Sequence, residues 1–304
     1  ITQLAEVTIQ VALHQLDGWL QQTHGTPMGE ESGTRQALIV VGMGKLGGGE
    51  LNVSSDVDLI YLYPEAGETT GPSKLSNHEY FTRLGQKLSQ ALSEPNSEGF
   101  VFRVDLRLRP YGDSGPLVSN FAMLEQYFIT QGREWERYAW IKGRALSGDE
   151  AGLMERVRPF VYRKYLDYGA IASMRDLHAQ IRREVARRDL ADNIKLGPGG
   201  IREIEFIAQV FQLIRGGKEA ALQSRPTRAT LDLISAHNLL PASTVQALHS
   251  AYAFLRNLEH RLQYLDDAQT QILPTQSADC ELIAQALGFA DWDKFREELA
   301  VHRA

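Results

Sequence analysis

The sequence predicts an α+β fold in which a small mixed sheet is followed by an all-helical half. Short apolar runs with strand character occur only before residue 120, whereas the apolar residues beyond it recur at helical spacing. No apolar run approaches the ~20 residues of a membrane span. The chain has a single cysteine, Cys280, which excludes an internal disulfide framework and fits a reducing compartment. We therefore expect a cytoplasmic protein that does not associate with membranes.

The first half is predicted to alternate strands with helices. A leading helix covers 1–22, and a strand at 37–41 runs into a glycine-dense turn at 42–49. A second strand follows at 56–63. Ser76 and Glu79 form a capping-box pattern that starts a helix, and a third strand is predicted over 100–109 because apolar and charged residues alternate there. We expect the sheet to occupy about 36–118 and no strand after about 120.

The second half is predicted to be helical throughout. The predicted helices are 120–131, 133–146, 149–166, 171–190, 200–215, 227–238, 242–267, 277–287 and 291–304. The change in character places a boundary near 147, so we expect a leading helix and linker (1–35), a core that contains the sheet (36–147) and a helical domain (148–304). Because the chain begins and ends within helical patterns, we also expect a fragment of a longer protein.

The charge balance bears on the class of partner. The formal net charge is −6 at neutral pH. Proteins that grip nucleic acid normally carry the opposite balance, because lysine and arginine neutralise the phosphates. The sequence therefore disfavours nucleic acid as a partner.

Two aspartates at the start of the second strand indicate a metal site. Asp56 and Asp58 are two residues apart, so their carboxylates face the same side of a strand. Adjacent carboxylates repel each other unless a cation lies between them. Hard oxygen ligands suit Mg²⁺ or Mn²⁺. The glycines just upstream allow the backbone to approach a phosphate closely.

Asp105 is the candidate third ligand, which would complete a site for two ions. It is the only acid on a strand face that otherwise consists of arginines. An acid on a central strand needs a partner, and either a metal ion or an arginine would serve. A glycine-rich turn or an Asp-x-Asp pair is common by itself, but the combination of turn, paired aspartates and a later lone aspartate favours a site.

These segments resemble a known family. The glycine turn followed by Asp-x-Asp resembles the nucleotidyltransferase superfamily that includes polymerase beta. More specifically, 42–51 (GMGKLGGGEL), 103–110 (RVDLRLRP) and 199–206 (GGIREIEF) look like signature blocks of the bifunctional glutamine synthetase adenylyltransferase/adenylyl-removase family. Segments 134–137 (EWER) and 259–263 (EHRLQ) also match. The resemblance spans about 37–275 and implies a polymerase-beta-like core followed by a helical bundle.

The family has two homologous catalytic halves, and two segments resemble the removase half. These are 52–56 (NVSSD) and 112–117 (GDSGPL). The resemblance implies phosphorolysis, in which inorganic phosphate takes AMP from an adenylylated tyrosine of glutamine synthetase and forms ADP. It also implies a PII signal protein as a partner of the full-length enzyme. The forward transferase using ATP, a non-catalytic module that binds nucleotide or a PII-type protein, and a nucleic-acid nucleotidyltransferase are the alternatives.

The resemblance also implies roles for particular residues. The metal ligands and catalytic residues are Asp56, Asp58 and Asp105. The residues that would contact the nucleotide or the phosphate are Gly42, Gly44, Lys45, Ser54, Ser55, Arg107, Arg109, Arg202 and Glu205. The basic residues have salt-bridge partnership as their alternative role. Arg202 and Glu205 either reach the active site or form an ordinary interhelix salt bridge.

Overall fold

The computed structural model describes residues 1–163, 179, 190–265 and 269–304. The chain forms two compact units, each with its own core. The first comprises Ile1–Leu51 and Ser55–Val161, and the second comprises Asn52–Ser54 and Tyr162–Ala304. A three-residue segment of the first half therefore belongs to the second unit.

The first unit carries every strand of the sheet. Its elements in chain order are α1 (Thr2–His24), β1 (Ile39–Gly42), α2 (Gly44–Gly47), β2 (Val57–Tyr63), α3 (Asn77–Ser93), β3 (Val104–Asp105), β4 (Val118–Asn120), α4 (Phe121–Thr130), α5 (Glu134–Ile141), β5 (Arg144–Ala145) and α6 (Glu150–Val161). The second unit is helical in its described part. Its helices are α7 (Ile201–Arg215), α8 (Thr227–Ala236), α9 (Ala242–Tyr264), α10 (Ser277–Ala286) and α11 (Trp292–Arg303).

The sheet is built around β2. On one side β2 pairs with β1, which is antiparallel and pairs in turn with β5. On the other side β2 pairs first with β3 and then with β4, both parallel. The sheet is therefore mixed, as the sequence predicts.

One face of the sheet packs against α1 and α3. The residues of β2 that belong to this core alternate along the strand, as side chains on a pleated strand must. They are Val57, Leu59, Tyr61 and Tyr63. The helices contribute Ala5, Ile9 and Leu20 from α1 and Tyr80, Phe81, Leu84, Leu88 and Leu92 from α3. Asp58 lies out of phase with these residues and is therefore on the opposite face of the strand.

The predicted capping box at the start of α3 is confirmed. The Ser76 side chain accepts a hydrogen bond from the Glu79 backbone amide, and the Glu79 carboxylate accepts one from the Ser76 amide. Within the described part of the chain, each helix predicted after residue 120 has a counterpart, although the helix predicted over 133–146 is shorter than expected. The prediction over 171–190 lies outside the described residues except for Ala179 and Leu190.

Two predictions about strands are wrong. No strand was expected after residue 120, yet Arg144 and Ala145 form β5. The helix predicted over 133–146 ends at Ile141, because Gly143 interrupts it and the chain returns to the sheet. The strand predicted over 100–109 shortens to Val104–Asp105. Beyond Asp105 the backbone turns, with the Arg109 amide donating to the Leu106 carbonyl.

The domain limits inferred from composition stay predictions. Compactness divides the chain after Val161, so α6 belongs with the sheet, and α1 contributes to the same core. None of the helices in the described part of the chain combines the length and the apolarity that a bilayer crossing requires.

Candidate active site

The glycine turn and the start of β2 are joined by direct contacts. The Met43 amide donates to the Asp58 carbonyl at 2.9 Å. The turn then continues as the short helix α2, whose first residue, Gly44, has a φ of +51°. A Cβ at Gly44 would lie 2.8 Å from the Asp58 carboxylate oxygen Oδ2. Glycine is therefore required here both by the backbone conformation and by the closeness of this carboxylate.

Asp58 and Asp105 lie side by side. They are partners in the parallel register of β2 and β3, and neighbouring strands are ~4.8 Å apart. Val57 and Val104 are the preceding partners in the same register, so the two aspartates share the opposite face. The structure thus brings together Asp58 and Asp105, which are 47 positions apart in the sequence.

Asp56 and Asp105 both form contacts with arginines. Arg103 Nε donates to Asp56 Oδ1 at 2.9 Å. The Asp105 carboxylate accepts hydrogen bonds from the Arg107 backbone amide at 2.8 Å and from its guanidinium. Of the two partners foreseen for Asp105, the structure therefore shows the arginine.

The electrostatic effect of Arg107 on Asp105 is direct. Hydrogen bonds from the guanidinium lower the pKa of the Asp105 carboxyl below its ordinary value, although partial burial opposes them. Asp105 is consequently a carboxylate at neutral pH.

The donor set suits a hard cation in type and in register, but the side chains are not gathered around one point. Within the described residues, no group of three or more histidine, cysteine, aspartate or glutamate side chains could hold a metal ion. The metal role of the three aspartates stays a prediction.

The residues predicted to bind phosphate fall into several places. Gly42 ends β1, and Lys45 lies on α2. Arg107 is 74% exposed at its side chain, whereas Arg109 is mostly buried and donates to the Leu106 carbonyl at 2.9 Å. Arg109 thus has a structural contact within its own turn.

The remaining predicted site residues lie elsewhere in the chain. Ser54 is buried within the second unit, and Ser55 is the first residue after that segment. Arg202 and Glu205 lie in the first turns of α7, also in the second unit. The roles predicted for these residues stay predictions.

Sequence reasoning missed the residues that support the glycine turn. Lys142 Nζ donates to Glu50 Oε2 at 2.8 Å, and both side chains are largely buried. Arg144 Nε donates to the Gly47 carbonyl at 3.1 Å, and its guanidinium also pairs with Glu6. The sequence did contain a signal for these residues. Lys142 and Arg144 flank Gly143, and a glycine at this position interrupts the helix that was predicted over 133–146.

A mixed sheet with a glycine turn beside paired aspartates is consistent with the nucleotidyltransferase class, and comparison with known proteins shows the family. The profile described as glutamate-ammonia ligase adenylyltransferase matches residues 1–159. The chain belongs to this family. A second profile, described as GlnD PII-uridylyltransferase, is similar to residues 175–304.

Similar proteins carry a common name. The chain is 64% identical over 299 residues to the bifunctional glutamine synthetase adenylyltransferase/adenylyl-removing enzyme of Chromobacterium violaceum, covering 98% of this chain and 33% of that protein. The protein of that name from Nitrosomonas eutropha is 59% identical over 309 residues, covering 100% of this chain and 33% of that protein. The chain thus spans about a third of the length of the curated relatives it matches.

Proposed function

We propose that this chain removes AMP from an adenylylated tyrosine of glutamine synthetase by metal-dependent phosphorolysis. The observation that carries the proposal is the pairing of Asp58 with Asp105 on adjacent parallel strands, directly beside the glycine turn. Two carboxylates on one face provide oxygen ligands of the kind that Mg²⁺ or Mn²⁺ prefers. Asp56 would be the third ligand, and two ions are the number we propose.

The reaction balances without a covalent intermediate on the protein. An oxygen of inorganic phosphate attacks the phosphorus of the adenylyl group, the bond from that phosphorus to the tyrosine oxygen breaks, and ADP and tyrosine result. Transfer of this kind depends mainly on positioning and charge neutralisation. The bound cations would supply neutralisation of the charge on the transferring group.

The protein's own residues would hold the two reactants. Gly42 and Gly44, together with Ser54 and Ser55, would contact the nucleotide phosphate. Lys45 with Arg107 or Arg109 would neutralise the attacking phosphate. The leaving phenolate has an acid of pKa ~10, so the site needs no dedicated general acid. Phosphate is already an anion at neutral pH and needs no strong general base.

The direction of the reaction rests on two sequence segments. Residues 52–56 (NVSSD) and 112–117 (GDSGPL) are similar to the removing half of the family rather than to the transferring half. The relatives' name includes both activities. Forward transfer of AMP from ATP is therefore the second candidate, and the profile described as an adenylyltransferase favours it.

One assay separates the two directions. We expect ADP to form when the chain is mixed with adenylylated glutamine synthetase, inorganic phosphate and Mg²⁺. Asp58→Asn should abolish this release while the fold persists, because the variant keeps the side chain's shape and removes one of two adjacent charges. Net adenylylation from ATP as the dominant activity, or release of AMP without phosphate, would contradict the proposed direction.

The proposed partners follow from the same function. They are adenylylated glutamine synthetase, inorganic phosphate and ADP, with a PII signal protein for the full-length enzyme. The similarity of residues 175–304 to a profile described as GlnD PII-uridylyltransferase supports PII as an effector to be tested. The measurement that tests this partner is the effect of added PII on ADP release.

A further inference from the structure

The segment Asn52–Ser54 comes shortly before Asp56 and Asp58 in the sequence but belongs to the helical unit. Only Ser55 separates it from Asp56 in the sequence. Asn52 and Ser54 are 1% and 3% exposed. Buried polar groups are kept by hydrogen bonds, so the partners of this segment determine its path.

Arg256 of α9 is a side-chain partner of Asn52. Its Nη2 donates to Asn52 Oδ1 at 2.5 Å, across 204 positions of sequence. Its Nη1 donates to Glu259 Oε2 at 2.6 Å, and the Glu259 side chain is fully buried. Gln269 adds a second contact to the segment, with Nε2 donating to the Ser54 carbonyl at 3.1 Å.

The guanidinium geometry explains why this residue is an arginine. Two of its nitrogens serve two different acceptors at once, which the single ammonium of lysine cannot do in the same arrangement. Arg256 and Glu259 are three residues apart on one helix, so they are neighbours on its surface. The Glu259 carboxylate therefore fixes the direction in which Arg256 presents its second donor to Asn52.

We infer that Arg256 is a positioning residue for the transfer reaction, a role that rests on the proposed function. It acts through Asn52, holding the backbone of 52–54 so that Ser55 and Asp56 enter the site along one path. Glu259 supports Arg256, and Gln269 supports the other end of the segment. This gives Glu259, the first residue of the EHRLQ segment at 259–263, a role in holding 52–54 within the helical unit.

The decisive variant is Arg256→Lys. It keeps a cation beside buried Glu259, so the unit should fold, but it removes the separate donor to Asn52. The matched control is Lys294→Gln, which breaks another pair three residues apart in the same unit. That pair, with Glu297, is mostly exposed, and its loss should change nothing.

Two measurements test the effect of Arg256→Lys, namely kcat for ADP release and amide hydrogen exchange at 52–55. We expect Arg256→Lys to lower kcat by roughly 10- to 100-fold, as small misplacements in active sites do, with both KM values unchanged. Exchange at 52–55 should accelerate, while exchange in α7 and α8 stays as in the wild type. Asn52→Ala should give the same result. The double variant should be little worse than either single variant, because both substitutions remove the same Arg256–Asn52 hydrogen bond.

Unchanged exchange at 52–55 in Arg256→Lys, or faster exchange with undiminished kcat, would overturn the inference. Faster exchange throughout the helical unit would overturn it as well, because it would show a merely structural role. A wild-type chain that releases no ADP refutes the proposed function instead, and the exchange measurement still shows whether Arg256 holds the segment.

Discussion

At Gly44, the absence of a side chain is what allows the Asp58 carboxylate to lie against the glycine turn. The contact joins two features that the sequence analysis assigned to one candidate site, namely the glycine turn and a predicted metal ligand. A backbone φ of +51° adds a second reason, because side chains other than glycine rarely adopt it. A single residue type therefore decides how close the turn comes to the aspartates.

Gly44→Ala should lower both stability and activity. The added methyl group would meet Asp58 Oδ2 at 2.8 Å, and the left-handed conformation costs roughly 1–2 kcal/mol in its own right. Gly33→Ala is the control, because Gly33 also has a positive φ but a methyl group there would meet nothing within 4 Å. Urea unfolding should show a similar loss of stability from the backbone conformation in both variants. The assay of ADP release should show a loss of activity only in Gly44→Ala.

A second prediction at this scale concerns the proposed contact of Arg107 with the attacking phosphate. If Arg107 neutralises the attacking phosphate, Arg107→Ala should raise the KM for phosphate more than the KM for the adenylylated protein. Arg158→Ala, at an exposed position of α6, should leave both unchanged. Equal changes in the two KM values would assign Arg107 to the support of Asp105 alone.

At the scale of elements, a partly buried polar contact links β2 to α3. The Tyr61 hydroxyl lies 2.9 Å from the Ser89 hydroxyl. Burial raises the pKa of Tyr61 to about 12, and the hydrogen bond with Ser89 acts in the opposite direction. Ionisation of this phenol is therefore unfavourable in the folded protein.

This contact predicts a component of alkaline unfolding. A tyrosine whose folded pKa is raised stabilises the fold fully below its unfolded pKa of ~10, and this contribution disappears as pH rises towards about 12. A shift of about two units corresponds to roughly 2–3 kcal/mol. Between pH 9 and pH 12, the Tyr61→Phe variant should lose less stability than the wild type, by an amount on the order of these 2–3 kcal/mol. Urea midpoints measured across this pH range test the difference. Tyr264→Phe, at a tyrosine that is 57% exposed, should follow the wild type, and a parallel decline in Tyr61→Phe would count against the interpretation.

At the scale of the whole molecule, two apolar cores are built from different parts of the chain. Leu84 of α3 belongs to the first core and Leu258 of α9 to the second, and both are almost completely buried. The segment Asn52–Ser54 is grouped with the second core although its neighbours in sequence belong to the first. Its stability should therefore follow the helical unit.

Leucine-to-alanine substitutions test this grouping. Each should cost about 2–5 kcal/mol, through lost burial and the cavity that remains. We expect Leu258→Ala to accelerate amide exchange in α8, in α9 and at 52–54, and Leu84→Ala to accelerate it in α3 and β2. Exchange at 52–54 that responds to Leu84→Ala and not to Leu258→Ala would show that the segment belongs with the sheet.

Sequence alone determined those features that depend on local periodicity and capping. The helix starting at Ser76, the helices beyond residue 120 and the strand of Asp58 all follow from repeats of two or 3.6 residues and from local hydrogen bonds. The resemblance carried by 42–51 and 103–110 was confirmed by the family profile, because those motifs are contiguous in the chain.

Only the tertiary structure decided which distant residues meet. β3 is two residues long because the Arg107 amide and guanidinium bind the Asp105 carboxylate and turn the chain, a contact that alternation along 100–109 does not reveal. Arg144 joins the sheet, and Arg256 reaches Asn52 across 204 positions. Such pairings depend on packing and on the hydrogen-bonding needs of buried polar groups, which no local pattern encodes.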